Sequence, residues 1–203
     1  MLERTISTFM KNALKLEIRP QRQTDRNIKI LALFLCFSAW LPATLTSVLE
    51  GLTTLLLIWR LRGWHLSAAL KRLDIGIMYI GYIAIALQLG LNTLTHYEVW
   101  QPLGSFSLHI FTLGAMGCIV PAMFIRIGNG HTGRPVFFGG YEKGILWLML
   151  FALLARTLAL QYWPQYYSHW LILTATLWAA AFGLWLWRFS PYHWRARADG
   201  KPG

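Results

Sequence analysis

Long apolar stretches, separated by short polar and mostly basic segments, set the pattern of this 203-residue chain. Four stretches, at roughly 74–95, 105–126, 143–161 and 168–188, are each long enough to cross a bilayer as a helix. A further region, 28–59, is apolar almost throughout; as one helix it would be about 48 Å long, against a hydrocarbon core of about 30 Å. Pro42 near its middle, followed by Ala43-Thr44-Leu45-Thr46-Ser47, marks a break and a restart. The pattern therefore predicts two short helices, about 28–42 and 45–61. The expected architecture is all-α: a polytopic membrane bundle of six transmembrane helices over 28–189, after a basic segment 1–27 and before a tail 190–203. The apolar run 30–41 begins too far from the start for a signal peptide and reads as a retained helix.

Composition agrees: 56% of residues are hydrophobic and only 13% charged, where a soluble domain carries about a quarter. The mean hydropathy is +0.43. The net charge of +11 would suggest nucleic acid in a soluble chain. Here the positive-inside rule accounts for it, so membrane lipid is expected as a partner and nucleic acid is not. With six helices and both termini cytoplasmic, every Lys and Arg except Arg156 falls in 1–29, 60–73, 126–143 or 188–203. Five helices would set the cation-rich N-terminal segment against the loops. Trp100, Trp163, Tyr166, Tyr167 and Trp170 then form an aromatic belt on the opposite side.

Residues 1–18 put Leu2, Ile6, Phe9, Met10, Ala13 and Leu14 on one helical face with cations around it. That suits an amphipathic helix on the anionic inner leaflet; the alternative is a disordered basic tail. Residues 20–27 read as a linker and 197–203 as a solvated end. Cys36 and Cys118 lie inside apolar segments without metal-ligand spacing and read as packing residues.

Ionisable groups inside spans are costly and so mark candidate sites. His109 lies about one turn into the fourth predicted span, either as a ligand for haem iron or copper or as an interhelical hydrogen-bonding group. Met116 and Met123 follow it at seven-residue steps, while Gly114, Cys118 and Ala122 recur every four on the other side, a spacing that admits a close helix neighbour. Arg156 is the one cation within a span, and Glu50 lies in the second predicted helix; they pair, or Arg156 holds a carboxylate or propionate. Asp74 reads as a helix N-cap. The segment Gly128-Asn129-Gly130-His131-Thr132-Gly133-Arg134-Pro135 reads either as an anion or cofactor site at the cytoplasmic mouth or as a tight turn with a basic rim. His131 lies too far along the chain from His109, across a spanning helix, to share a metal centre with it.

Together, His109-x-x-Thr112-x-Gly114-Ala115-Met116-Gly117, Ala122-Met123-x-x-Arg126 and Gly130-His131-Thr132-Gly133-Arg134-Pro135 closely resemble the NnrS family, and Arg156 falls where that family tends to carry a helix arginine. Its members are bacterial inner-membrane proteins that bind haem and copper and are associated with protection against nitric oxide and nitrosative stress. The resemblance is strong over about 105–160, weaker over 60–100 and negligible over 1–27. Family members usually have about twelve helices, so this chain resembles their C-terminal half. It would be a half-length member, a separately encoded half that pairs with another, or a degenerate relative. Tyr79 stands where the family typically has a histidine.

The resemblance implies haem and copper as cofactors, held by His109 and His131, with His131 and Arg134 at a cytoplasmic-face site and Arg156 against a propionate. No nucleophile, carboxylate dyad or redox-cysteine motif identifies a reaction, so enzymatic turnover is left open. Two other classes stand beside this one. A cofactor-free transporter would use His109, Glu50 and Arg156 as a relay. A non-catalytic membrane subunit would dock through Gly114, Cys118 and Ala122 onto a second copy or onto a subunit supplying the missing half.

Overall fold

The structure, a computed structural model, describes residues 2–200. The described elements are all helical: α1 (Leu2–Leu14), α2 (Arg22–Leu35), α3 (Ala43–Leu61), α4 (Leu66–Leu70), α5 (Leu73–His96), α6 (Phe106–His109), α7 (Gly117–His131), α8 (Gly140–Leu154), α9 (Leu160–Tyr162) and α10 (Tyr167–His193). Two π-helical segments interrupt the α pattern, Ile110–Met116 between α6 and α7 and Ala155–Ala159 between α8 and α9. The chain divides into two compact units, Met1–Phe111 and Thr112–Gly203, and the division falls inside the first π-helical segment.

Among the described residues, five helices are long and apolar enough to cross a membrane: Ala43–Leu61, Leu73–His96, Phe106–His131, Gly140–Tyr162 and Pro164–His193. By length and apolarity these differ from the expected six at one place. The break at Pro42 is present, and α3 starts directly after it. The helix before it, however, begins earlier than expected and stops at Leu35, with a short 3₁₀ turn at Ser38–Trp40. At 14 residues α2 is about 21 Å long, short of a full crossing. Its first turn is polar because Asp25 is needed there: buried Asp25 pairs with buried Arg60 near the end of α3. Arg60 also lies 4.9 Å from the Trp64 ring. That pairing sets α2 antiparallel to α3.

In the first unit α3 and α5 are also antiparallel and are joined by side chains reaching across to backbone carbonyls. The Thr93 hydroxyl donates to Ser47 O at 3.1 Å, Thr54 to Ala86 O at 3.3 Å and Tyr82 to Leu57 O at 3.2 Å. Gly51 and Gly90 let the two threonines approach; a Cβ on Gly90 would meet Thr54 Cγ2 at 3.2 Å. The helix α1 is amphipathic, as expected, but its apolar face is covered by protein. Ile6 and Met10 are fully buried where α1 meets α5, and Arg72 Nη1 donates to Ala13 O at 3.1 Å.

In the second unit α8 packs against both α7 and α10. Contacts here are steric. A Cβ on Gly117 would come within 2.9 Å of Met149 Cε, and one on Gly128 within 2.9 Å of the buried Phe189 ring. Phe124 and Trp185 rings lie 5.4 Å apart. Buried Glu142 accepts the Gly139 N–H at 2.9 Å, capping α8, and faces Arg188 at 3.3 Å. Large apolar side chains remain exposed on the outer faces of both units, among them Leu33, Leu55, Ile172 and Trp187, as a lipid-facing surface requires.

Candidate functional site

His109 is the last residue of α6, half-buried, and the π-helical segment starts at the next residue. Arg156 is the second residue of the other π-helical segment and is likewise half-buried. His109 and Arg156 therefore both sit at a change of helical pitch, whereas Glu50 lies in regular α-helix. Local chemistry supports these changes. Cys118 Sγ donates to Leu113 O, five residues back, at 3.6 Å, and the Thr157 hydroxyl donates to Leu153 O at 2.6 Å. Single π turns inside α-helices are found frequently at functional sites. The π geometry also displaces the expected seven-residue stripe: a wider i→i+5 turn does not set Met116 above His109, and Met116 is exposed.

His109 belongs to the first unit, and His131, Arg134 and Arg156 to the second. Arg156 lies over the Tyr167 ring at 5.5 Å. Glu50, within the first unit, accepts from Asn92 Nδ2 at 2.9 Å. Each of these two charges thus has a neighbour in its own unit.

The segment 128–135 is less of a loop than its glycines suggest. Gly128–His131 form the last turn of α7, and of the three glycines only Gly133 takes a positive φ, +70°. Gly128 is there for the approach of Phe189. The Gly133 N–H donates to Gly130 O at 3.2 Å and the Arg134 N–H to Asn129 O at 2.9 Å. Arg134 lies over the Tyr192 ring at 3.9 Å. His131 is exposed; its carbonyl accepts from Arg197 Nη1 at 3.0 Å. The Ala198 N–H donates to Thr132 O at 3.0 Å, and Asp199, held by Arg197, fills the space beside Gly133. The tail at 197–199, expected to be a solvated end, is tied to this turn. Gly114, Cys118 and Ala122, the small-residue line, are all buried.

A polar recess lies wholly in the first unit. A cavity of 690 Å³ opens between the start of α3 and the end of α5, with Glu50, Asn92, Thr46, Ser47, Thr95 and Ser107 on its wall. Sequence reasoning found Glu50 but not this group. The signal was present: Thr46, Ser47 and Glu50 share one face of an apolar helix, and Asn92 and Thr95 share one face of another.

Against this geometry, the family described as NnrS protein matches residues 1–197. The chain belongs to the NnrS family. The match includes residues 1–27, where no resemblance was legible. No curated protein and no solved structure matches. As an NnrS protein it is a multi-pass protein of a bacterial inner-membrane family. Tyr79 is fully buried and donates its hydroxyl to Trp64 O at 2.6 Å. It ties α5 to the turn after α3. Among the described residues no group of three or more His, Cys, Asp or Glu is placed to hold a metal ion.

Proposed function

We propose that this NnrS protein binds haem through His109 and contributes to protection against nitric oxide and nitrosative stress. The observation that carries the proposal is the half-buried imidazole of His109 at the start of a π-helical segment within an apolar helix of 26 residues. A single imidazole would suffice to hold haem iron, and His109 would supply it. The proposal is confined to haem; among the described residues no group of three or more His, Cys, Asp or Glu is placed to hold a metal ion such as copper. When bound, haem supplies an iron that coordinates nitric oxide. The chain's part is to present the imidazole in its neutral form and keep bulk water from it. Arg156, within the π-helical segment of the second unit, offers a guanidinium to a carboxylate. We read His131 and Arg134 as members of the turn that holds the C-terminal tail.

Six crossings with both termini cytoplasmic remain our proposal for the topology. It is supported by the Asp25–Arg60 pair, which sets the start of α2 level with the end of α3 and lets residues 22–42 run back alongside α3. The distribution of lysine and arginine supports the same arrangement.

Purified protein supplemented with haem should show a Soret band that is lost in His109→Ala and kept in His131→Ala. A band that survives His109→Ala with unchanged position and intensity would overturn the assignment. Cells carrying His109→Ala should be as sensitive to nitric oxide as cells lacking the protein.

A further inference from the structure

We propose that the cavity between α1, the linker 15–21 and the end of α3 binds an anionic phosphate group, held between the guanidinium groups of Arg4 and Arg19. The cavity has a volume of 330 Å³ and lies wholly in the first unit. That is the lower end of the range for small-molecule sites, enough for a phosphate and part of what it esterifies. It is separate from the recess at the other end of α3, with which it shares no residue.

The charge on its wall is unbalanced. Among the described residues the wall carries one carboxylate, Asp25, and that carboxylate is already paired with Arg60. Both are buried and cancel each other. What remains is Arg4 from α1 and Arg19 from the linker, both exposed. Two cations lining one cavity repel, and an anion between them turns that repulsion into attraction. The guanidinium fork matches phosphate oxygens. Because the two forks come from different segments, they reach a ligand from two directions, which suits a tetrahedral group better than a planar carboxylate.

The packing of α1 makes this arrangement stable. Ile6 and Met10 are fully buried where α1 meets α5, so the helix is anchored on protein and its apolar face is not available to lipid. At 100° per residue, Arg4 and Thr8 lie on the side of α1 away from Ile6, and Ser7 lies beside them. The Thr8 hydroxyl donates to Arg4 O at 2.8 Å and so meets a ligand only as an acceptor. Ser7, half-buried on the same wall, supplies a hydroxyl donor for a phosphate oxygen. The same phosphate chemistry is available from a soluble phosphate or from the headgroup of an anionic phospholipid, which clusters of Lys and Arg beside membrane helices attract.

Full-length protein in detergent should bind inorganic phosphate saturably in a calorimetric titration, and acetate at least ten-fold more weakly. Arg4→Ala and Arg19→Ala should each weaken phosphate binding ten-fold or more, and Ser7→Ala two- to three-fold. Lys15→Ala, which removes an exposed cation that does not line the cavity, should leave binding within two-fold of the parent. Arg4, Arg19 and Lys15 are exposed, so these variants should keep the unfolding temperature of the parent. Native mass spectrometry from vesicles of phosphatidylglycerol and phosphatidylcholine distinguishes the sources. Retention of phosphatidylglycerol over phosphatidylcholine, lost in Arg4→Ala and Arg19→Ala, assigns the lipid headgroup; equal retention with phosphate binding intact assigns a soluble phosphate. The proposal is overturned if neither phosphate nor phosphatidylglycerol is held, if acetate binds as tightly as phosphate, or if Arg4→Ala or Arg19→Ala binds as the parent does. It is equally overturned if Lys15→Ala weakens binding as much as Arg4→Ala, which would mark a general attraction to a basic surface. None of these readouts involves haem, so failure here is separate from failure of the His109 assignment.

Discussion

The first unit joins its long helices with polar side chains that cross from one helix to a carbonyl of the next, whereas the second joins them by close steric contact at glycines and aromatic rings. Across α3 and α5, Thr54, Tyr82 and Thr93 each donate to a backbone carbonyl of the partner helix. Across α7, α8 and α10 the comparable positions are Gly117 against Met149 and Gly128 against Phe189. In lipid there is little hydrophobic drive between helices, so both solutions are open: hydrogen bonds between helices, or small residues that allow dense packing. They have different consequences. A hydrogen-bonded interface leaves polar groups at its end, and the first unit gathers them round a cavity. In the second unit, Glu142 pairs with Arg188 and Arg156 lies on the π turn over Tyr167.

The contrast can be broken most severely in the first unit. Asp25→Ala removes the partner of the buried Arg60 and should cost about 3 kcal/mol of stability, read from denaturant unfolding in detergent. Asp25→Leu combined with Arg60→Met should recover most of that loss, since two apolar side chains leave no buried charge. In the second unit the matching test is Gly128→Val, which forces the buried Phe189 ring aside and should cost about 2 kcal/mol in the same assay. A Gly128→Val protein as stable as the parent would show that this interface does not depend on close approach.

A smaller effect separates hydrogen bonding from packing within the first unit. Tyr79→Phe keeps the ring and loses the bond to Trp64 O, and should cost about 1 kcal/mol. Tyr79→His should not add or shift a Soret band, because a side chain at that position is enclosed by protein. The smallest effect is at the surface. The hydrogen bond and charge of Lys11, 2.9 Å away, hold the Glu17 carboxyl below its ordinary range, yet both are fully exposed. Lys11→Ala should leave the unfolding temperature unchanged within error.

Several features were legible along the chain because they depend on local rules. Apolar runs of bilayer length placed all four of the later spans, and Pro42 marked where α3 would begin. The spacing of Ile6 and Met10 revealed an amphipathic α1, although which surface its apolar face meets was not contained in that spacing. The early end of α2 was hidden for a related reason: hydropathy rates Arg22 to Arg26 as loop, and only the pairing of Asp25 with Arg60 makes a helical turn favourable there.

What the amino-acid order determined unaided is the class of protein, its helices and the family to which its motifs belong, since hydropathy, proline breaks and short motifs all act within a few turns of the chain. Only the tertiary structure decided which polar residues are held in common. Thr46, Ser47 and Glu50 lie more than forty positions from Asn92 and Thr95, and no local periodicity reports that α3 and α5 end side by side. Nor does hydropathy reveal that His109 and Arg156 stand at π-helical turns, because the apolarity of a segment carries no information on its helical pitch.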